Sequence, residues 1–414
     1  MTPGQRARVA AFLARPALDG VLAALNGEGE ETRVVGGAVR DLLLDAPVGD
    51  VDLATTALPA ETIRRARAAG FKSVPTGIEH GTVTLLRNGA TFEVTTLRSD
   101  IETDGRRAKV VFGRDFVADA KRRDFTINAM SLDRQGALFD VCDGLSDLAA
   151  RRIRFIGDPA GRITEDYLRI LRFFRFHARY GDGPLDPAGL AACIAGRAGL
   201  ERLSRERVRA EMLKLVVAPG AVAAIEAMAG AGLLMPVLGC VPRLARFAAV
   251  AEGEGGEQVY PAFRLAALGV AVSEDAVRLR EALRLSNDEF DRISRLAMAM
   301  EALSGRATVP SIAVLRHLAH RVGGDAVAGG LVLLTAGADE SRKRETHGLI
   351  AELGRTPSFL PTGRDVVALG LAPGRTIGLV LEQARADWIE AGCPAGEADQ
   401  AAFIAQAVAR LTAI

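Results

Sequence analysis

Apolar and polar positions change period several times along the first third of the chain. "TRVV" is a short apolar run that ends at Gly36-Gly37, and "AVRDLLL" continues at helical spacing. This predicts a strand, a glycine turn and a helix. "DVDLAT" alternates polar and apolar residues, as a half-buried strand does. "LPAETIRRARAAG" reads as a helix with Pro59 near its start and Gly70 at its end. "TVTLLRNGATFEVTTL" places two β-rich runs around Asn88-Gly89, a pair suited to a two-residue hairpin turn. From about residue 145 onward helical periodicity dominates, in "TEDYLRILRFFRFHARY", "RERVRAEMLKLVV", "EDAVRLREALRLS", "NDEFDRISRLAMAMEAL" and "IGLVLEQARADWIEAG". No strand pattern and no fixed-period repeat stand out there. The expected fold is an α+β (α/β) head with a mixed sheet, followed by an all-α extension about twice as long.

Composition narrows the class. The chain has 414 residues, 49% hydrophobic and 25% charged, enough for sizeable cores in about two to four domains. Net charge is only +1, but Arg151–Lys214 carries 14 Lys and Arg against 8 Asp and Glu. A basic segment in a neutral chain points to a localised polyanion site. Cys142, Cys193, Cys240 and Cys393 show no CxxC spacing, so neither a zinc site nor a disulfide framework is indicated. Free thiols fit a reducing cytosol, and the expected location is cytoplasmic. "MTPGQRARVAAFLARPALDG" lacks a signal-peptide core. "AVAAIEAMAGAGLLMPVLGCV" contains Glu226 and Pro236, which favours a buried helix pair over a membrane span.

Three features carry candidate chemistry. Asp50 and Asp52 lie two apart in a strand pattern, which puts both carboxylates on one face. Paired carboxylates repel unless a cation sits between them, and oxygen-only donors suit Mg2+. Alone, such a pair is weak evidence: most are solvated turn or strand-edge residues, and some are sugar-nucleotide sites in glycosyltransferases. Glu93 faces away from the apolar side of its own strand. It approaches the pair only if the two strands are neighbours. Gly36 and Gly37 open a helix, where backbone amides can approach a phosphate, and Arg40 lies one turn further on. Third, "EDYLRILRFFRFH" carries Arg169, Arg172 and Arg175 at a spacing of three, on a segment whose Phe173, Phe174 and Phe176 read as core.

Taken in order, "GGAVRDLLL", "GDVDLAT", "EVTTLR", "KRRDFTINAMSLD" and "EDYLRILRFFRF" resemble the class II tRNA nucleotidyltransferase and poly(A) polymerase family. The resemblance is strong over residues 32–215 and continues weakly at "TGRDVVALGLAPGRTIG". It implies a nucleotidyltransferase head at 1–148, a helical neck with the nucleotide-selecting helix at 149–215, a helical body at 216–303 and a helical tail at 304–414. It implies that Asp50 and Asp52 bind metal, with Mg2+ as the cofactor. It assigns Gly37, Arg40, Arg123, Asp124, Asp166, Arg169, Arg172 and Arg175 to the nucleotide and matches Asn128 within the same motif, and the glycine turn adds Gly36 to the candidate nucleotide-binding residues. The implied partners are CTP, ATP and the tRNA 3′ end, with no membrane. The implied reaction adds CMP and AMP to tRNA without a nucleic-acid template. "SDIETDGRRAKVVF" resembles the family's flexible loop, with Ala108 where many relatives have proline.

The pairing edges of cytosine and adenine explain how one carboxylate and one guanidinium could choose both. Each base shows an amino donor beside a ring-nitrogen acceptor, matched by Asp166 and Arg169. Uracil and guanine reverse that order, and each buried mismatch costs roughly 1–3 kcal/mol. On a helix, Asp166, Arg169 and Arg172 share one side while Arg175 rotates away toward a phosphate or an acidic neighbour. The rival readings are a poly(A) polymerase, a CC-adding or A-adding relative, and a non-catalytic RNA-binding module. The loop candidate at Asp104–Phe112 argues against CC-only activity. The lack of a basic carboxyl-terminal tail argues against polyadenylation of long RNA. None of the five histidines forms a His-Asp pair, and His317 with His320 reads as a surface or packing pair.

Overall fold

Turn chemistry and alternation build the sheet of the first unit. The strands are β1 (Thr32–Val35), β2 (Val51–Thr55), β3 (Lys72–Gly77), β4 (Thr82–Arg87), β5 (Ala90–Thr96), β6 (Arg98–Ile101), β7 (Lys109–Phe112), β8 (Ser131–Leu132) and β9 (Leu138–Phe139). Asn88 and Gly89 both have positive φ, 50° and 78°, as a type I′ turn requires. They close the β4–β5 hairpin with Arg87 opposite Ala90. The seven-stranded sheet runs β3-β4-β5-β2-β1-β8-β9, and β6 with β7 forms a separate ribbon. Only β2 and β5 pair in parallel within the seven-stranded sheet, so it is mixed, as expected.

The structure, a computed structural model, describes residues 1–101, 109–253, 260–305, 310–355 and 357–412. The chain divides into two compact units, Met1–Arg202 and Leu203–Ile414. The division falls within the segment read as the neck. Ala108 and most of the loop candidate at 104–112 lie outside the described residues.

Helices of the first unit are α1 (Pro3–Leu13), α2 (Pro16–Leu25), α3 (Gly37–Leu43), α4 (Pro59–Ala68), α5 (Phe116–Lys121), α6 (Gly144–Ala149), α7 (Pro159–Glu165), α8 (Leu168–Tyr180) and α9 (Pro187–Ala195). The two-residue strands β8 and β9 carry too little pattern to be read from sequence. The apolar face of α8 anchors its polar face: Phe173 and Phe174 are fully buried and Phe176 nearly so. Phe125 lies 4.9 Å from Phe155 and 5.1 Å from Phe176, and Phe173 stacks on Phe155 at 5.4 Å. Burying each such ring contributes about 1.5–3 kcal/mol. One aromatic cluster thus ties α8 to the turn that carries Asp124.

The described residues of the second unit are helical. "AVAAIEAMAGAGLLMPVLGCV" forms the helices Ala221–Gly230 and Met235–Leu238, with Ala224, Ile225, Met228, Leu233 and Leu234 fully buried. Ser286 and Glu289 cap the helix Asn287–Leu303 reciprocally. Leu315, Leu318, Val327 and Leu331 form one core; Val366, Val380, Ala384 and Ile404 form another. His320 packs edge-on against Trp388 at 5.3 Å, which makes it a packing residue. "TGRDVVALGLAPGRTIG" is a helical hairpin whose first helix is capped by Thr362 and Asp365. Among the described residues no helix is long and apolar enough to cross a membrane.

Candidate active site

The acidic pair and the glycine turn lie at the same end of the sheet. In the antiparallel β1–β2 pair Val35 stands opposite Asp52, so Gly36 begins where the carboxylates emerge. Asp50 occupies the bend just before β2, one residue short of the strand predicted for it. Asp50, Asp52 and Glu93 are all exposed. The parallel β2–β5 register sets Asp52 directly beside Glu93, which meets the condition stated above for Glu93 to approach. Among the described residues, however, no group of three His, Cys, Asp or Glu side chains is set to hold a metal ion.

Both neighbouring acids act on the charge of Asp52. Although the residue keeps contact with solvent, its carboxyl is raised from its ordinary 3.8, first by partial shielding from water, then by Glu93 and Asp50, with Arg123 opposing them. A donor set of oxygen ligands that disfavours its own ionised form fits a divalent cation.

Gly36 needs to be glycine. Its φ is 72°, and an ideal Cβ would come 2.8 Å from Nη1 of Arg123. Arg123 therefore lies against the glycine turn. It donates from Nε and Nη2 to Asp119 (3.2 and 3.1 Å) and from Nη1 to the Asn128 carbonyl (3.3 Å). Asp119, 3% exposed, also accepts from Arg122.

A buried polar chain joins three of the sequence motifs. Arg40 was expected to offer its fork to a phosphate. Instead it is 6% exposed and donates to Asp41 (2.9 Å), to Oδ1 of Asn128 (2.6 Å) and to the Tyr180 hydroxyl (2.6 Å). Its guanidinium also lies 4.1 Å from the Tyr180 ring centre. Asn128 donates onward to Asp124 (3.0 Å), and Asp124 accepts from Nε of Arg172 (2.7 Å). Arg40 and Asn128 are thus internal braces, and Arg172 is held against Asp124. Burial pushes Asp124 up, but Arg172, Asn128 and the Phe125 amide together hold its carboxyl below 3.8. Removing the shared amide in Asn128→Ala leaves Arg40 and Asp124 each short of a partner. The expected cost is about 1–3 kcal/mol per group, read by urea denaturation; an unchanged midpoint would contradict the bracing role.

The two aspartates bend stability against pH in opposite directions. Asp52 holds its proton more tightly when folded, so it contributes a penalty. That penalty is absent below the ordinary carboxylate range and complete once pH passes the raised folded value. Asp124 is lowered, so its stabilisation is present at and above the ordinary range and is lost as pH falls below it. Thermal unfolding at pH 7 with chelator is therefore expected to give a raised Tm for Asp52→Asn. Asp124→Asn should lower Tm, by about 1.5–3 kcal/mol of lost charge-assisted bonding.

The segment carrying Asp166 departs from the sequence reading. One continuous helix was expected, but α7 ends at Glu165 and α8 begins at Leu168. Asp166 is extended (φ −155°, ψ 105°), and its Oδ1 accepts from the Leu168 amide at 3.1 Å. Aspartate competes for backbone donors in this way and so starts a new helix rather than continuing one. Arg169 donates to Glu165, to the Arg162 carbonyl (2.8 Å) and to the Arg122 carbonyl (3.4 Å). Arg175 lies 4.4 Å from the Phe176 ring centre. The three arginines thus have three different settings.

Asp119, Asp147 and Tyr180 were not read as part of this region. Asp119 lies four residues before Arg123, which stands just past the end of α5, a spacing that the sequence showed. Asp147, fully buried, accepts from Thr126 (2.6 Å), Arg152 and Arg154 and so ties down the turn after Asp124. Tyr180 lies 140 residues from Arg40, and no local pattern announces it.

Residues 32–154 match the family model of the poly A polymerase head domain. Residues 184–247 match that of the probable RNA and SrmB- binding site of polymerase A. The class these define is nucleotidyltransferase. The mitochondrial CCA tRNA nucleotidyltransferase 1 of Mus musculus is 35% identical over 374 residues, covering 88% of this chain and 84% of the mouse protein. The CCA-adding enzyme of Leuconostoc citreum is 45% identical over 199 residues, 48% of each chain. The crystal structure of the Bacillus stearothermophilus CCA-adding enzyme in complex with CTP has a TM-score of 0.70 at 25% identity, covering 100% of both chains. The chain belongs to the CCA tRNA nucleotidyltransferase family.

Proposed function

We propose that this enzyme transfers CMP, CMP and then AMP from CTP and ATP to the 3′ end of tRNA, selecting each nucleotide without a nucleic-acid template. One observation carries the reading. Asp50 and Asp52, the Gly36 turn with Arg123, and the Asp124–Arg172 pair converge in one unit of a chain from this family.

In this mechanism the tRNA 3′-hydroxyl gives its proton to water and attacks the α-phosphorus in line, and the bond from that phosphorus to the bridging oxygen breaks as pyrophosphate leaves. Asp50 and Asp52 would hold a divalent cation, for which Mg2+ suits the oxygen donors. When bound, it activates the hydroxyl and neutralises charge on the phosphates. Glu93, beside Asp52 in register, adds to the negative field there. Gly36 and Gly37 let the triphosphate approach the backbone. Arg123 places a fixed positive charge beside it. Arg172, held by Asp124, and Arg175 extend that positive field along α8. Asp166 accepts from the amino group of cytosine or adenine and Arg169 donates to the ring nitrogen. Arg169 must turn from Glu165 toward the base to do so. Arg40 and Asn128 serve by bracing Asp124.

We assign the head, neck, body and tail to 1–148, 149–215, 216–303 and 304–414, with the tail contacting tRNA. A cytoplasmic location is part of this reading. It is supported by four cysteines that are all free thiols. A tRNA trimmed of its terminal CCA tests the reaction. CTP alone is expected to add two residues, ATP alone none, and both together three, all dependent on a divalent cation. A long A tract would instead establish the poly(A) polymerase reading, and extension stopping after two residues the CC-adding one.

A further inference from the structure

The break that frees Asp166 from a helix is gripped by a segment outside all the sequence motifs. Tyr167 follows Asp166 directly and returns the chain to helical backbone (φ −61°, ψ −15°). Its ring lies flat on Gly199, in the 3₁₀ segment Arg197–Arg202. An ideal Cβ on Gly199 would overlap Cγ, Cδ1 and Cε1 of that ring. Gly199 does not have positive φ, so the ring, not the backbone, demands glycine here. The Gly199 amide donates to the Gly196 carbonyl at 2.9 Å. Gly196 lies against Ile163 of α7, where a Cβ would come 2.7 Å from Cγ2. The Arg202 guanidinium also lies over the Tyr167 ring, 5.8 Å from its centre. One short segment therefore holds the chain at Ile163 before Asp166 and at Tyr167 after it.

We propose that Tyr167 and Gly199 are positioning residues for base selection: the ring, seated on the glycine, fixes where the Asp166 carboxylate stands relative to Arg169. The inference rests on the assignment of Asp166 to the base. A methyl on Gly199 forces the ring out to a contact distance of about 3.5–4.0 Å. Tyr167 and Asp166 share a peptide bond, so the carboxylate moves with it. Hydrogen bonds weaken outside about 2.7–3.2 Å, and displacements near 1 Å cost on the order of 10²-fold.

The test measures kcat and KM for CTP and for UTP on CCA-less tRNA. The variants are Gly199→Ala, Tyr167→Leu, Tyr167→Phe and Asp166→Ala. Gly199→Ala and Tyr167→Leu are expected to lower the CTP-over-UTP preference at least about tenfold. Tyr167→Phe keeps the flat ring and should keep the wild-type preference. If Gly199→Ala does not fold, the contrast between Tyr167→Leu and Tyr167→Phe decides. Wild-type preference in folded Tyr167→Leu overturns the proposal, as does equal loss in Tyr167→Phe. Loss in Asp166→Ala with none in Tyr167→Leu or Gly199→Ala overturns the positioning role alone. Full preference in Asp166→Ala overturns the base assignment and this inference with it.

Discussion

Asp52→Asn is expected to lower the rate of nucleotide incorporation by at least about 10³-fold while leaving the protein folded. The variant keeps the shape of the side chain and removes its charge. A cation held by two carboxylates and substrate phosphates loses half of its protein ligands. Asp50→Asn should behave alike, although Asp50 sits at the bend before β2 rather than on it. The same substitution should make the metal-free protein more stable, because Asp52 bears the combined burden of desolvation, Glu93 and Asp50. An inactive variant with a higher Tm would separate function from folding in one experiment. Incorporation above a tenth of wild type would contradict the assignment.

Asp166→Ala should instead spare the chemistry and damage the choice. The carboxylate accepts from the amino group that cytosine and adenine share, and uracil offers a carbonyl there. A lost or mismatched contact of this kind is worth about 1–3 kcal/mol, so the CTP-over-UTP preference should fall roughly 5- to 150-fold. Single-turnover kcat/KM for each nucleotide on CCA-less tRNA reads this directly. If the preference stays at the wild-type value, the base is read elsewhere.

Local chemistry made much of this legible in the sequence. Asn88-Gly89 gave the hairpin because a type I′ turn is a two-residue event. The alternation in "DVDLAT" gave β2, and the phenylalanines of "RILRFFRF" gave the buried face of α8. What escaped depends on distant partners. The bonds of Arg40 to Asn128 and Tyr180, 88 and 140 residues away, leave no local pattern in the sequence. Asp166 looked helical because the periodicity runs on through it. The local bond that its own side chain accepts from the Leu168 amide won over that periodicity. β8 and β9 were missed because two residues hold no period. The Gly199 contact was invisible because glycine in a loop ordinarily signals a turn.

In the proposed function one protein site chooses C, then C, then A with no template. The most direct measurement supplies a tRNA lacking CCA with all four nucleoside triphosphates at equal concentration and Mg2+, and sequences the 3′ ends. The expected result is a population ending in CCA that stops there. Ends carrying U or G at appreciable frequency, or an extended run of A, would contradict it.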